Sequence, residues 1–217
     1  MPNVEEKMKT GREYRRIEVQ RIQIRRLDDG SENYEVEGYA CTFGQVYRLY
    51  DGARYKVDEQ IDQQAFASCD MSDVICQFDH MGRVFARTSN KTLELSIDSH
   101  GLKCLIRLGG TEEGRKLYEE IKGGYITKMS FGFTAEEDKR EETYNTETGI
   151  TTVLRTITKI KKLYDVSAVS LPANDATEIS ARNYCDGVIA GLEEERRKKL
   201  DDEYTVNLLK LYLEVNK

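Results

Sequence analysis

The stretch Lys91-Thr92-Leu93-Glu94-Leu95-Ser96-Ile97-Asp98-Ser99-His100-Gly101-Leu102-Lys103-Cys104-Leu105-Ile106-Arg107-Leu108 decides the fold class. Leu93, Leu95 and Ile97 alternate with polar residues, and Leu102, Cys104, Ile106 and Leu108 recur at the same period. A period of two gives each segment one apolar face, the signature of a half-buried strand. Asp98-Ser99-His100-Gly101 supplies the turn, so the stretch reads as an antiparallel hairpin.

Upstream, Tyr14 to Leu27 carries Ile17, Val19, Ile22, Ile24 and Leu27. The alternation slips by one residue between Val19 and Ile22, as in a long strand with a bulge. Asp28-Asp29-Gly30 is a turn, and Tyr34 to Phe43 follows as the partner strand of a hairpin. Gly44 to Ala53 reads as a loop, Tyr55 to Ile61 as a short strand and Gln63 to Cys69 as a helical turn. Val74 to Phe78 is a short apolar run that suits a buried strand.

Downstream, Thr111 can cap a helix running to about Lys122, with Gly123-Gly124 ending it. Ile126 to Thr134 is strand-like, Ala135 to Gly149 is a charged, exposed excursion, and Thr151 to Leu171 is long and β-branched. From about Cys185 the chain reads as helical and highly charged. It ends in Leu208, Leu211, Tyr212 and Val215, an i, i+3, i+4, i+7 stripe. The elements predict a mostly β, α+β fold. Its body is a six- to seven-stranded, closed or nearly closed barrel with a few surrounding helices and a C-terminal helix. The expected division is a flexible N-terminus over 1–11, a barrel domain over 12–185 and a charged helical tail over 186–217.

Composition narrows the function classes. The chain has 217 residues, 33% charged and 39% hydrophobic, with no apolar run long enough to span a bilayer. The charged N-terminus lacks the apolar core of a secretory signal. The net charge of -6 argues against nucleic acid as the main partner, and no membrane partner is expected. The five cysteines, Cys41, Cys69, Cys76, Cys104 and Cys185, form no Cys-x-x-Cys pair, so they read as reduced, mostly buried thiols. Two histidines without acidic partners at ligand spacing predict no metal site, and no nucleotide-binding glycine pattern occurs.

The candidate chemistry centres on Ser130 in Lys128-Met129-Ser130-Phe131-Gly132-Phe133. Met129, Phe131 and Phe133 can bury on one face while Ser130 and Gly132 share the other, with Gly132 leaving room for a substrate backbone. A serine nucleophile needs a general base, and the base needs an orienting group. His80 follows the apolar strand Val74 to Phe78, whereas His100 sits in the hairpin turn and reads as solvated. Asp165 lies in the apolar run Leu163 to Val169, where a carboxylate is costly unless paired. The alternative is a salt bridge from Asp165 to one of the nearby lysines, Lys161 or Lys162. Asp79 is a poor orienter, because neighbours on an extended chain point to opposite faces. Cys76 as a thiol nucleophile lacks anything to keep it ionised. On the residues alone, Ser130 as an ordinary strand serine and His80 as a structural residue stay open.

The order of segments supplies more. Glu37-Gly38-Tyr39-Ala40-Cys41-Thr42-Phe43-Gly44 comes first, then Glu59-Gln60-Ile61-Asp62-Gln63-Gln64-Ala65-Phe66 and Phe78-Asp79-His80. The 92–102 hairpin, the Met-Ser-Phe-Gly segment and Asp165-Val166-Ser167-Ala168-Val169-Ser170-Leu171-Pro172-Ala173-Asn174 follow. Over roughly residues 17–182 the chain resembles the prohead maturation proteases of tailed bacteriophages and prophages, whose fold is related to that of the herpesvirus assembly proteases. The resemblance implies a serine endopeptidase with Ser130 as nucleophile, His80 as general base and acid, and Asp165 as the group that orients His80. The family's third member is usually glutamate, so Asp165 is one methylene shorter. The chain also lacks the proline-glycine that often precedes Ala65-Phe66, and its 135–150 loop is longer and more charged than in the family.

The resemblance further implies cleavage of a scaffold protein, or of the scaffolding region of the major capsid protein, together with self-cleavage. The implied setting is the immature capsid, or prohead, in the host bacterial cytoplasm. No cofactor is implied, and a homodimer is implied by analogy with related viral proteases. The competing expectation is a non-enzymatic capsid-assembly or scaffolding protein built on a decayed protease domain. The helical C-terminus reads as either a removable tail or docking helix, or a helix packed on the barrel.

Overall fold

The structure, a computed structural model, describes residues 11–26, 32–170 and 175–215. Eleven strands and two α-helices are present among them. In chain order they are β1 (Glu13–Arg21), β2 (Gln23–Arg26), β3 (Glu32–Thr42), β4 (Tyr47–Asp51), β5 (Tyr55–Ile61), β6 (Ile75–Phe78) and β7 (Met81–Arg87). Then come β8 (Leu93–Ile97), β9 (Gly101–Arg107), α1 (Glu112–Lys122), β10 (Lys128–Asn145), β11 (Ile150–Val169) and α2 (Asp175–Val215).

The protein is mostly β, as expected, but the strands form two open sheets in place of a closed barrel. A seven-stranded sheet runs β1-β10-β11-β5-β4, with β6 on β11 and β7 on β6; a four-stranded sheet runs β2-β3-β9-β8. The bulge read between Val19 and Ile22 coincides with a register shift between Ile17 and Arg21 in the pairing with β10, and just beyond it the chain changes sheet. β1 pairs with β10, β2 pairs with β3, and the Ile22 N–H between them donates to the Thr127 carbonyl at 3.2 Å. The hairpin expected between 14–27 and 34–43 is therefore formed only by its second half. The Asp28-Asp29-Gly30 turn lies outside the described residues, as do residues 1–10 of the expected flexible terminus.

The β8–β9 hairpin pairs Leu93 with Ile106 and Ile97 with Leu102, as its alternation demands. Its apolar face meets that of β10 and β11. Val36, Leu102, Ile106, Phe131, Leu163 and Val166 are all at most 1% exposed between the sheets. Each such side chain contributes about 1.5–3 kcal/mol by leaving water. Helix α1 closes one end of this core with Leu117 and Ile121. Thr111 caps it by accepting from the Gly114 N–H at 2.9 Å, and Gly124, with φ of 75°, ends it in the left-handed region.

Two segments read as loops are strands. Residues 44–53 contain β4, paired with β5. Residues 135–149 extend β10 into a long hairpin with β11, pairing as far as Asn145 with Ile150, with its outer residues exposed. Helix α2 starts at Asp175, before the expected Cys185. Tyr184, Cys185 and Val188 bury against Val57 and Val153 in a second, smaller core. Along the terminal stripe, Leu208, Leu211 and Tyr212 are 50–66% exposed. No described helix is long and apolar enough to cross a membrane.

Candidate active site

Ser130 is placed by the alternation of β10. Met129, Phe131 and Phe133 are fully buried in the core, so Ser130 and Gly132 face the other side of the sheet. Antiparallel pairing sets Ser130 opposite Ser167 and Gly132 opposite Asp165 on β11. Opposed residues share a face, so Ser130 and Asp165 lie on one surface, one row apart. On the other side of β10, Arg16 pairs with Ser130 and Tyr14 with Gly132.

His80 comes from a two-residue turn. Phe78 pairs with Met81, and both residues between them have positive φ, 49° for Asp79 and 58° for His80. Positive φ at both central positions is the primed hairpin turn that matches strand twist, for which glycine or asparagine is the usual choice. A histidine there costs roughly 1 kcal/mol of backbone strain. The turn is pinned from both sides. The Asp79 N–H donates to the Ala168 carbonyl at 3.0 Å, and the Asp79 carboxylate accepts from the Ser170 N–H at 2.9 Å and hydroxyl at 2.7 Å. Asp79 is thus engaged with β11's end. The extended-chain argument against it does not apply, because neither residue is extended.

The His80 ring spans the gap between the two strands. Its Nε2 is 2.5 Å from Ser130 Oγ, and its Nδ1 is 2.5 Å from Asp165 Oδ1. Ser167 donates to the same Asp165 oxygen at 2.9 Å, and Arg12 Nη2 donates to Oδ2. Ser130 Oγ also lies 2.9 Å from the Arg15 carbonyl, so its single proton has two acceptors in reach. Ser130 is 1% exposed and Asp165 fully buried. Burial alone raises the Asp165 pKa. The His80 hydrogen bond, the charges of His80 and Arg12, and the Ser167 hydroxyl outweigh it and hold the carboxyl below its ordinary value. Lys162, weighed above as a partner for Asp165, instead pairs with Asp70 at 2.9 Å.

Gly132 has a different use from the one its sequence suggested. A Cβ there meets Asp165 Oδ2 at 2.3 Å and Tyr14 Cε1 at 2.8 Å. The missing side chain makes room for the Asp165 carboxylate and the Tyr14 ring. The Tyr14 ring in turn packs edge-on against His80 with centroids 4.5 Å apart.

Behind β1, on the opposite face, lies a buried ionic cluster. Arg15 bonds both oxygens of Glu59, at 2.5 and 3.0 Å, and also Glu13. Arg155 Nη1 bonds Glu13 at 2.8 Å and Glu59 at 2.9 Å, and its Nε bonds Asp138 at 2.8 Å. Both arginines are 2% exposed. Burial disfavours their charge, yet Glu59 and Glu13 hold them firmly protonated.

The remaining sequence candidates fall elsewhere. His100 is exposed in its hairpin turn, its ring 4.6 Å from that of Tyr39. Cys76 is fully buried, and burial pushes its thiol far above the ordinary range, which removes it as a nucleophile. Among the described residues no cluster of His, Cys, Asp or Glu could hold a metal ion. Sequence reasoning missed Arg12, Tyr14 and Ser167 as neighbours of the site. The signal for Ser167 was available, since i and i+2 on a strand share a face with Asp165. Arg12 and Tyr14 also share a face, but nothing local says which strand lies beneath it.

No curated protein matches the chain. Among solved structures, the capsid assembly protease gp21 of bacteriophage T4 is 12% identical, over 76% of this chain and 98% of that one. Its TM-score of 0.38 marks a partial likeness only. A family profile, the caudovirus prohead serine proteases, matches residues 20–187. That span holds Ser130, His80 and Asp165 and covers well over half of the 217 residues, so the chain belongs to the caudovirus prohead serine protease family.

Proposed function

We propose that this protein is a serine endopeptidase in which Ser130 is the nucleophile, His80 the general base and acid, and Asp165 the group that orients His80. The observation that carries this reading is the His80 ring held 2.5 Å from both Ser130 Oγ and Asp165 Oδ1. With Nδ1–H donated to Asp165, the neutral imidazole presents a lone pair at Nε2 to the serine proton. As Ser130 Oγ attacks the peptide carbonyl carbon, its proton passes to Nε2. The imidazolium so formed is stabilised by the buried carboxylate and then protonates the leaving amine. Water repeats the sequence to release the acyl group.

The Arg15 carbonyl adds an off state. When His80 is protonated, Nε2–H donates to Ser130 Oγ, and the hydroxyl proton turns to the Arg15 carbonyl 2.9 Å away. All donors are then satisfied and no base faces the nucleophile. Because Ser130 is 1% exposed, peptide binding has to move the side chains above it.

Family membership supports a substrate among capsid-assembly proteins. The scaffold, or the scaffolding region of the major capsid protein, is the proposed target, together with the chain itself, inside the immature capsid of the infected bacterium. A homodimer is the proposed assembly. The test is Ser130→Ala in the full chain, incubated with the capsid protein and followed by mass spectrometry. The variant is expected to keep its fold and leave both proteins intact. Normal cleavage by Ser130→Ala refutes the assignment. Intact proteins with the wild type as well favour the non-enzymatic assembly role.

A further inference from the structure

We propose that Arg12, held in place by Tyr14, is a positioning residue that fixes the Asp165 carboxylate toward His80 and sets how strongly it draws a proton onto the imidazole. The inference rests on the triad reading and goes beyond it, because Arg12 and Tyr14 precede the residues matched by the family profile, which begins at residue 20.

The segment Arg12-Glu13-Tyr14-Arg15 alternates between two environments. Glu13 and Arg15 point into the buried cluster with Glu59 and Arg155. Tyr14 and Arg12 therefore face the other side, over Gly132 and Asp165. The ionic cluster thus pins β1 from behind and presents Arg12 to the site. Arg12 is clamped by two rings, 4.5 Å from the Tyr164 centroid and 5.1 Å from that of Tyr14. Tyr14 bridges the two halves of the arrangement, because its ring also packs on His80.

The bonding at Asp165 divides cleanly. His80 and Ser167 use Oδ1, while Arg12 uses Oδ2. Asp165 is fully buried, whereas the Arg12 side chain is 36% exposed. Arg12 is thus the bond that joins the buried carboxylate to the surface. Two consequences follow. A carboxylate bonded at both oxygens cannot rotate away from Nδ1, so Arg12 favours the reactive orientation. Its positive charge also opposes a second positive charge on the neighbouring imidazole. A residue that served structure alone would affect the rate but leave the pH profile where it was.

The experiment compares wild type, Arg12→Gln and Arg12→Lys as full chains. It measures the second-order rate of labelling by a fluorophosphonate across the acid limb, with mass spectrometry mapping the label and circular dichroism checking the fold. Arg12→Gln is expected to lose about 10- to 100-fold in plateau rate, and its acid limb is expected to move to higher pH, because a charge that opposes a positive imidazole is gone. Arg12→Lys, which keeps the charge without the planar fork, should hold the wild-type limb and recover part of the rate. A folded Arg12→Gln variant with the wild-type limb overturns the inference, whatever its plateau rate. Absence of label on wild-type Ser130 overturns the triad reading and this inference with it; a labelled wild type with an unmoved variant overturns this inference alone.

Discussion

Gly132→Ala adds one methyl group at the most crowded point of the site. The added Cβ stands 2.3 Å from Asp165 Oδ2 and 2.8 Å and 3.1 Å from Tyr14 Cε1 and Cδ1. The oxygen contact is about 1 Å short of van der Waals separation. Asp165 cannot yield freely, because its carboxylate is bonded to His80, Ser167 and Arg12. Tyr14 cannot yield freely either, because β1 is pinned by the buried arginine cluster. A displacement of about 1 Å in a catalytic group can cost about 100-fold, and losing the orienting acid costs about 10,000-fold. The expected loss therefore lies between these limits, about 2.7–5.5 kcal/mol of transition-state stabilisation. The stability cost of overpacking is about 1–3 kcal/mol. The assay is the rate of fluorophosphonate labelling at Ser130, with a urea unfolding curve on the same preparation. Gly110→Ala, where an added Cβ meets nothing within 4 Å, is the matched control. A folded Gly132→Ala protein that labels within about threefold of wild type refutes the claim that this glycine makes room for the carboxylate.

Three further outcomes test other parts of the argument. Arg155→Met leaves the fully buried Glu13 and Glu59 with one arginine, Arg15, in place of two, and is expected to cost about 3–5 kcal/mol in urea unfolding; a loss under about 1 kcal/mol contradicts the cluster's role as an anchor. Asp165 has its pKa lowered in the fold, so its ionised form contributes stability above the ordinary carboxylate range, and that stability is lost as pH falls through the lowered value. The stability gap between wild type and Asp165→Asn should then be widest near neutral pH and narrow on acidification, whereas a constant gap speaks against the pairing. Among the described residues, the buried Tyr184 hydroxyl finds no hydrogen-bond partner, while its ring lies 4.1 Å from the Arg155 guanidinium. Tyr184→Phe keeps the ring and should be neutral or stabilising by up to about 1 kcal/mol in thermal melting, and a clear loss points to a partner for the hydroxyl.

Several elements were legible because their signals are local. The β8–β9 hairpin follows from strict alternation around a turn, and α1 from a threonine cap and a glycine stop. The choice of candidate site residues came from the order of segments, not from spacing, since His80 and Ser130 are 50 positions apart. Other features were hidden for physical reasons. The slip after Val19 looks the same in sequence whether a strand bulges or crosses to another sheet, because both shift the apolar phase by one residue. The hairpin arm over 135–149 is too charged to read as strand, yet two long strands pairing with each other need no buried face to satisfy their backbone. Strand β7 escaped because its Met81 and Val84 are exposed, which blurs the alternation.

The sequence by itself determined which faces are apolar and which segments are mostly β. It also supplied the serine, the histidine and the acid. These are properties of a few neighbouring residues and of their order along the chain. Only the tertiary structure decided how the faces meet: two open sheets, with β10 held between β1 and β11 so that Ser130 and Asp165 share a surface. It placed the histidine in a left-handed turn, and it turned Gly132 from an opening for substrate into a recess for a carboxylate. It also brought Arg12 and Tyr14 across more than 150 positions to Asp165. A period of two fixes the side a residue faces. The strand across from it is chosen by packing of the whole core and, at β1, by a buried cluster whose charges are stable only when all of them are in place.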